Sequence, residues 1–597
     1  MLRRIVLAAA LVLVVAVPSA LAASPTGPKY DQQGRLVKTP FAPAPAKSVL
    51  TEQQAIASLL GVPKVEHWLE RYPRDSLVKQ ATYNGTYHDW DVKVWSGKAG
   101  EIASGRVDDA SGITTEAWTG PQVAWSMARG GGAAFGGKRI NSLPVWLGFC
   151  AAFLLGLADL RRPFRLRNLD LLALLSFSVS LWYFNHGHIF ASASLVYPGL
   201  AYLLARTLWI GIRDRPPPAS RPVWPVWVLA AATVFLGGFK IGLNVRDSNV
   251  IDVGYAGPIG AYRIVHGQSP YGHFPVEDDR PACGPADRSG EIRERIQENG
   301  RCEAANPSGD TYGPVSYLAY VPGYAFFGWS GKWDKLPAAH FTSIAFDLLC
   351  LLGLGLVGRR FGGNRLGVTL AFAWAAYPFT QYVSNSNTND AIMPAFLIWG
   401  FWLVTSHWAR GFFAGLAGWT KFAALIVAPL WATYPELRRT RRNGVIFLEG
   451  FALATILSFW IFLLEPNPLH AARVFWDRTI PTQIDRHSPF SIWDWGQYHA
   501  AGIPDLGWVQ KVLEVGLAAG ALALAIWPRR KTPLQLAALT AALLIGFEIV
   551  LTHWFYLYLP WFFAFAAFAV VAAEPRPAEA LATRPDERQA RELVATG

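Results

Sequence analysis

The sequence predicts a mainly α-helical, polytopic transmembrane bundle that carries a small extracytoplasmic α+β domain at its N-terminus, and three observations predict it. Of 597 residues, 52% are hydrophobic and only 16% charged, a membrane composition rather than that of a soluble globule. From residue 143 onward, apolar runs of roughly 17 to 23 residues follow one another, the length a bilayer core requires. The formal net charge is +12, but its arginines and lysines collect in short loops between those runs. That is the positive-inside distribution rather than a nucleic-acid patch, so no nucleic-acid partner is expected. The 26 Trp and 35 Phe suit aromatic belts at the two membrane surfaces.

Taken in order, residues 1–22 read as a secretion signal: two arginines, an apolar stretch and Ala20-Leu21-Ala22 in an A-x-A arrangement. An uncleaved anchor is the alternative and puts the next domain on the same side. Residues 24–127 lack any apolar run of membrane length and predict the exported α+β domain. Within it, "EQQAIASLLGVPKVEHWLERYP" (52–73) has helical spacing, "YHDWDVKVW" (87–95) alternates like a strand, and "GRVDDASGITTEAWTG" (105–120) reads as strand, turn, strand. The turn from Val107-Asp108 to Ser111-Gly112 resembles the signature of PepSY domains, and also fits an ordinary hairpin with Asp and Gly where turns need them. A linker, 128–142, leads into the membrane.

Eleven spans are predicted: 143–160, 171–187, 188–211, 224–243, 337–357, 366–384, 391–409, 445–464, 509–527, 532–552 and 554–573. Starting outside, the intracellular loops become "RRPFRLR", "RDRPPPASR", "GRRFGGNR", "RRTRRN" and "PRRK", all rich in arginine as the rule demands. Two segments are exceptions. "YGPVSYLAYVPGYAFFGW" (312–329) is read as an interfacial helix. "GFFAGLAGWTKFAALIVAPLW" (411–431) has basic residues at both ends and predicts a re-entrant helix pair that breaks near Gly418 to Lys421. Residues 574–597 form a disordered cytoplasmic tail. Polar residues then concentrate outside, in 244–336, 384–390, 465–508 and 552–556. Cys283 and Cys302 share the longest of these segments, where an oxidising compartment permits a bond between them; two free thiols are the alternative.

No phosphate-cradling glycine loop, no dinucleotide fingerprint and no H-E-x-x-H pair occurs, so neither ATP hydrolysis nor a metal centre is expected. Chemistry falls to ionisable groups at the membrane boundary. Asp247 and Asp252 follow the span 224–243, with Arg246 able to pair with either carboxylate or with a phosphate. The positive candidates are Lys421, His553 and the loop residues Arg473, Arg478, Arg486 and His487, of which Arg478 and His487 are favoured. Asn385, Asn387 and Asn389 suit helix capping, while Asp390 is kept as a candidate for substrate hydroxyls. Asp347 and Glu548 face protein neighbours and receive no role.

A span followed by Asp252 and Tyr255, then "YRIVHGQSPYG" with Gly267, Pro270 and Tyr271, then "TYGPVSYLAYVPG" with Tyr312 and Pro314, resembles the GT-C superfamily of polyprenyl-phosphate-sugar-dependent glycosyltransferases, and within it glycosyltransferase family 87. "GLAGWTKFAALIVAPLW" with Lys421 and "THWFYLYLPWFF" with His553 resemble later segments of the same family, so the resemblance covers about residues 224–573. It implies a GT-C-like core preceded by three extra helices (143–211). It further implies transfer of a hexose or pentose from a polyprenyl-phosphate donor to a glycolipid, polysaccharide or protein acceptor outside a bacterial plasma membrane, by inverting displacement with Asp252 as general base. Asp247, Arg246, Tyr255, Tyr271, Tyr312, Asp390, Lys421, Arg478, His487 and His553 are the expected substrate-binding set, and no cofactor is expected. Gly313 stands where the family often has proline, and 272–310 is an unusually long insertion. A lipid-sugar transporter or flippase is the alternative; it predicts internal repeats and polar residues at the bilayer midplane, neither of which the sequence displays.

Overall fold

The computed structural model describes residues 29–30, 36–38 and 47–572, apart from 86, 124–134, 214–223, 276–279, 285–293, 298–299, 301, 305–307, 329–335, 437–439, 485 and 499–502. The expected signal and tail, and the first part of the linker, lie outside the described residues. The chain divides into two units, residues 1–97 with 101–119 and residues 98–100 with 120–597.

The first unit is a four-stranded antiparallel meander with two helices on it. A short pair, β1 (Lys29–Tyr30) and β2 (Leu36–Lys38), precedes the helices α1 (Glu52–Leu60) and α2 (Pro63–Leu69), and the strands β3 (Leu77–Asn84), β4 (Asp89–Ser96), β5 (Glu101–Asp108) and β6 (Thr114–Thr119) pair in sequence order. A capping box of Thr51 and Gln54 starts α1. The single helix suggested by the apolar spacing over 52–73 is two, because Gly61 caps the first and Pro63 opens the second. Tight turn chemistry closes β5 to β6: Asp108 accepts from the Ser111 amide at 3.0 Å and its hydroxyl at 2.9 Å. Asp109 holds the chain ahead of α1, accepting from the amides of Val49 (2.8 Å) and Leu50 (3.0 Å).

The second unit is helical. Its main elements are α3 (Leu143–Leu157), α4 (Leu166–Asn185), α5 (Ile189–Ile212), α6 (Val226–Arg246), α7 (Asp252–Val265), α8 (Pro314–Leu318), α9 (Val321–Phe327), α10 (Pro337–Ala376), α11 (Pro378–Ser386), α12 (Ile392–Trp402), α13 (His407–Thr420), α14 (Ala428–Ala432), α15 (Thr440–Phe459), α16 (Pro468–Ile484), α17 (Gly507–Ile526), α18 (Pro533–Val550) and α19 (Leu559–Val571). A small hairpin, β7 (Glu294–Ile296) with β8 (Cys302–Ala304), lies in the 272–310 insertion, and Cys283 and Cys302 are bonded there with Cα atoms 5.9 Å apart. Among the described residues, six helices are long and apolar enough to cross a membrane: Ile189–Ile212, Val226–Arg246, Pro337–Ala376, Arg442–Leu464, Gly507–Ile526 and Pro533–Val550. Leu143–Leu157, Phe422–Ala432 and Tyr556–Val571 are apolar but shorter.

Local chemistry sets where these helices stop. α10 covers the span expected at 337–357 and part of the next, and non-helical backbone at Gly362 and Gly363, within the expected loop "GRRFGGNR", folds it into two legs. Tyr377-Pro378 then ends it, since the residue before proline avoids helical angles. The re-entrant expectation for 411–431 corresponds to α13, an extended Lys421, a 3-10 segment Phe422–Val427 and α14. Arg410 Nη2 donates to the Tyr434 carbonyl at 2.7 Å, so both ends of this excursion lie side by side. A buried pair, Lys240 Nζ to Asp347 Oδ1 at 2.8 Å, joins α6 to α10, with the Trp374 indole donating to the same oxygen at 2.8 Å. Asp347 and Glu548, which accepts from the Trp554 indole at 3.1 Å, therefore do face protein neighbours.

Candidate functional site

The site begins with a backbone clamp. After α6, the amides of Asn249 and Ile251 donate to the carbonyls of Asn385 (3.0 Å) and Ser386 (3.3 Å), tying the start of α7 to the turn after α11. Asn387 ends α11 in the left-handed region at φ 52°, which asparagine tolerates better than most residues; its side-chain nitrogen donates to the Asn249 carbonyl at 2.8 Å, and its side-chain oxygen accepts from Asn244 at 2.8 Å. Gly254 makes the close approach possible. A Cβ there would lie 2.0 Å from the Asn387 carbonyl oxygen. The clamp thereby fixes Asp252 in the first turn of α7, where helix-end amides favour a negative charge, and Asp390 three residues beyond Asn387.

Opposite stands Lys421. Its Nζ is 3.2 Å from Asp390 Oδ1, with that carboxylate 1% and the lysine 13% exposed. Trp561 Nε1 donates to the same oxygen at 3.2 Å, and the rings of Tyr312, Trp561 and Tyr558 surround the ammonium at 5.2, 5.7 and 6.0 Å, within cation–π range. The segment before α8 is pressed onto the end of α13: a Cβ at residue 313 would sit 2.0 Å from the Trp419 carbonyl, and Ser316 Oγ donates to the Thr420 carbonyl at 2.9 Å. Glycine at 313 is thus required by this contact. Tyr271 Oη braces the Tyr312 carbonyl at 2.8 Å from behind.

These groups line one cavity of about 630 Å³, within the usual range for ligand sites. The lining is largely apolar, with Phe422, Ile426, Leu517, Phe547 and Leu551 in it, and it also carries Asp252, Asp390, Lys421, Arg486 and His553. Burial raises the Asp252 carboxyl above the ordinary aspartate range, and Arg486 and Lys421 hold part of that rise back. His553 bridges Arg486 Nη2 (3.2 Å from Nε2) and Ser488 Oγ (2.9 Å from Nδ1). Burial, with Arg486 and Lys421 facing it, pushes its pKa well below that of a free histidine. Such a cavity can hold an anionic group on its cations and an apolar chain against its apolar lining, with a carboxylate to accept a proton.

Of the sequence-derived candidates, Asp252, Tyr312, Asp390, Lys421, Arg486 and His553 meet here. The others do not line the cavity. Asp247 is paired with Arg139 at 3.1 Å, and Arg246 is exposed at the end of α6. Tyr255 is fully buried in an aliphatic and aromatic cluster. Tyr271 acts only from behind Tyr312. Arg478 pairs with the buried Asp310 at 3.3 Å, and His487 with Asp494 at 3.2 Å. Arg486 takes the place given to Arg478 and His487, and Trp561, Tyr558, Lys511 and Glu514 join the lining; no local motif distinguishes them, since they converge only in three dimensions. Among the described residues, no group of three or more His, Cys, Asp or Glu is placed to hold a metal ion. The chain matches no protein-family description, no curated protein and no solved structure.

Proposed function

We propose that the chain is an integral membrane glycosyltransferase of GT-C type, with about eleven spans, that moves a hexose or pentose from a polyprenyl-phosphate donor to a cell-envelope glycolipid, polysaccharide or protein on the extracytoplasmic face of a bacterial plasma membrane. The observation that carries the reading is Asp252 under the charges of Lys421 and Arg486 in one cavity whose lining is otherwise largely apolar. A polyprenyl tail suits that apolar lining, and the donor phosphate suits the cations. The acceptor hydroxyl oxygen attacks the anomeric carbon and gives its proton to Asp252. The bond from the anomeric carbon to the phosphate oxygen breaks, its electron pair stays on phosphate, and polyprenyl phosphate leaves. Cations preset at the leaving oxygen lower the barrier because charge develops there. The N-terminal unit, PepSY-like in its turn sequence, binds acceptor or partner in this reading.

The test is release of labelled sugar from polyprenyl-phosphate mannose and polyprenyl-phosphate pentose donors by the purified full chain in lipid vesicles, with Asp252→Asn alongside. Transfer by the wild type and its loss in the variant support the assignment. Movement of the carrier lipid across the bilayer without sugar release would establish the flippase alternative instead.

A further inference from the structure

We infer that His553 is a positioning residue, a neutral hydrogen-bond acceptor that aims Arg486 into the cavity, and not a cation for the leaving phosphate. The role toward phosphate rests on the proposed function; the protonation state does not. A guanidinium has donors only. With Arg486 Nη2 at 3.2 Å from His553 Nε2, that ring nitrogen must present its lone pair. The ring proton then sits on Nδ1 and is donated to Ser488 Oγ at 2.9 Å.

Ser488 is itself held. Its amide donates to Asp494 Oδ2 at 2.6 Å, and its hydroxyl oxygen accepts from the Phe490 amide at 3.3 Å. The Phe490 ring packs edge-on against the imidazole, centroids 5.7 Å apart. The chain Asp494, Ser488, His553, Arg486 thus runs from a loop anchor to the cavity. Of the charged groups around the site, Arg486 and Lys421 oppose a positive imidazole, and Asp252, Asp390, Lys511 and Glu514 complete the cavity wall. A proton on Nε2 would set two N–H donors against each other, and a doubly protonated ring two cations; either releases Arg486, an exposed side chain whose many rotamers otherwise oppose a fixed aim.

Two measurements on the full chain test this. Exchange of the imidazole C2 hydrogen, followed by peptide mass spectrometry, reads the pKa of each histidine. His553 in the wild type titrates below the ordinary value of about 6.5, and Arg486→Gln moves it upward; a wild-type value at or above the ordinary one overturns the inference, whatever reaction the protein catalyses. Binding of polyprenyl phosphate to the purified protein reads the positioning role. His553→Gln, whose amide oxygen replaces the Nε2 lone pair, stays within about threefold of wild type, whereas His553→Leu weakens binding by on the order of 10-fold, the scale of one charge-assisted hydrogen bond. In an Arg486→Gln background, His553→Leu costs nothing further. Retention in His553→Lys with loss in His553→Gln identifies a phosphate cation and overturns the inference. No binding by the wild type removes the proposed donor and leaves the exchange measurement to decide the pair.

Discussion

Replacing Asp252 with asparagine separates chemistry from binding. The side chains are isosteric, so the cavity keeps its shape and the clamp of 249–251 on 385–387 is untouched. A positioned general base contributes about 10²–10⁴-fold, or about 3–5 kcal/mol of barrier at 1.36 kcal/mol per decade, and that is the loss of turnover expected. Charge sets the other half of the prediction. Asp252, Asp390 and Glu514 balance Lys421, Arg486 and Lys511 around the cavity, and the variant leaves one positive charge in excess. Affinity for an anionic lipid therefore holds or rises while turnover falls. Because burial raises the Asp252 carboxyl, wild-type transfer declines on the acid side with an inflection above the ordinary value of about 3.9. Stability has the opposite sign: a carboxyl that holds its proton more tightly when folded destabilises the fold once pH rises through the window from its ordinary to its raised value. Asp252→Asn accordingly melts no lower than wild type at neutral pH. Sugar release from a labelled donor, donor binding and a thermal melt are the assays. Turnover within threefold of wild type refutes the base assignment, and a loss matched by a lower melting temperature refutes the argument from shape.

Lys421→Met strands the buried Asp390 with the Trp561 indole as its remaining partner; breaking a buried pair costs about 3–5 kcal/mol, so the melting temperature drops and transfer falls, whereas a change below about 1 kcal/mol marks the pair as solvent-screened. Gly254→Ala drives a methyl group against the Asn387 carbonyl, 2.0 Å from the built Cβ; transfer falls with Asp252 displaced, and unchanged activity argues against the clamp. Cys283→Ser and Cys302→Ser, singly or together, expose the 272–310 insertion to protease equally. Closing a 19-residue separation stabilises by about 3 kcal/mol in the chain-entropy picture, and different cleavage of the two single variants refutes the pairing.

Composition and the spacing of apolar runs determined that the protein is mainly helical with helices of membrane-crossing length, because burying backbone polar groups in lipid leaves little choice but helix. Alternation and turn residues likewise indicated β4, β5 and β6 of the N-terminal unit, while β3 (Leu77–Asn84) carried no such signal. Position past an apolar run drew attention to both Asp247 and Asp252, and the family resemblance, not position, favoured Asp252; Lys421 drew notice as a charge within a predicted re-entrant pair. Local backbone chemistry decided where helices stop: Tyr377 before Pro378 cuts a span that hydropathy alone reads as continuous over 366–384, whereas the break at Gly362 and Gly363 falls in the loop that the arginines already marked. The sequence offered Arg486 only as one of four loop cations and could not rank it; Trp561 was beyond its reach, as was the fate of Arg478, drawn off to Asp310. Loop arginines look alike until packing decides which carboxylate or ring each one meets. A hydrogen bond between residues 67 positions apart, Arg486 and His553, has no periodic or compositional trace; it exists only because α16 and the turn after α18 are brought together, and it alone fixes which ring nitrogen carries the proton.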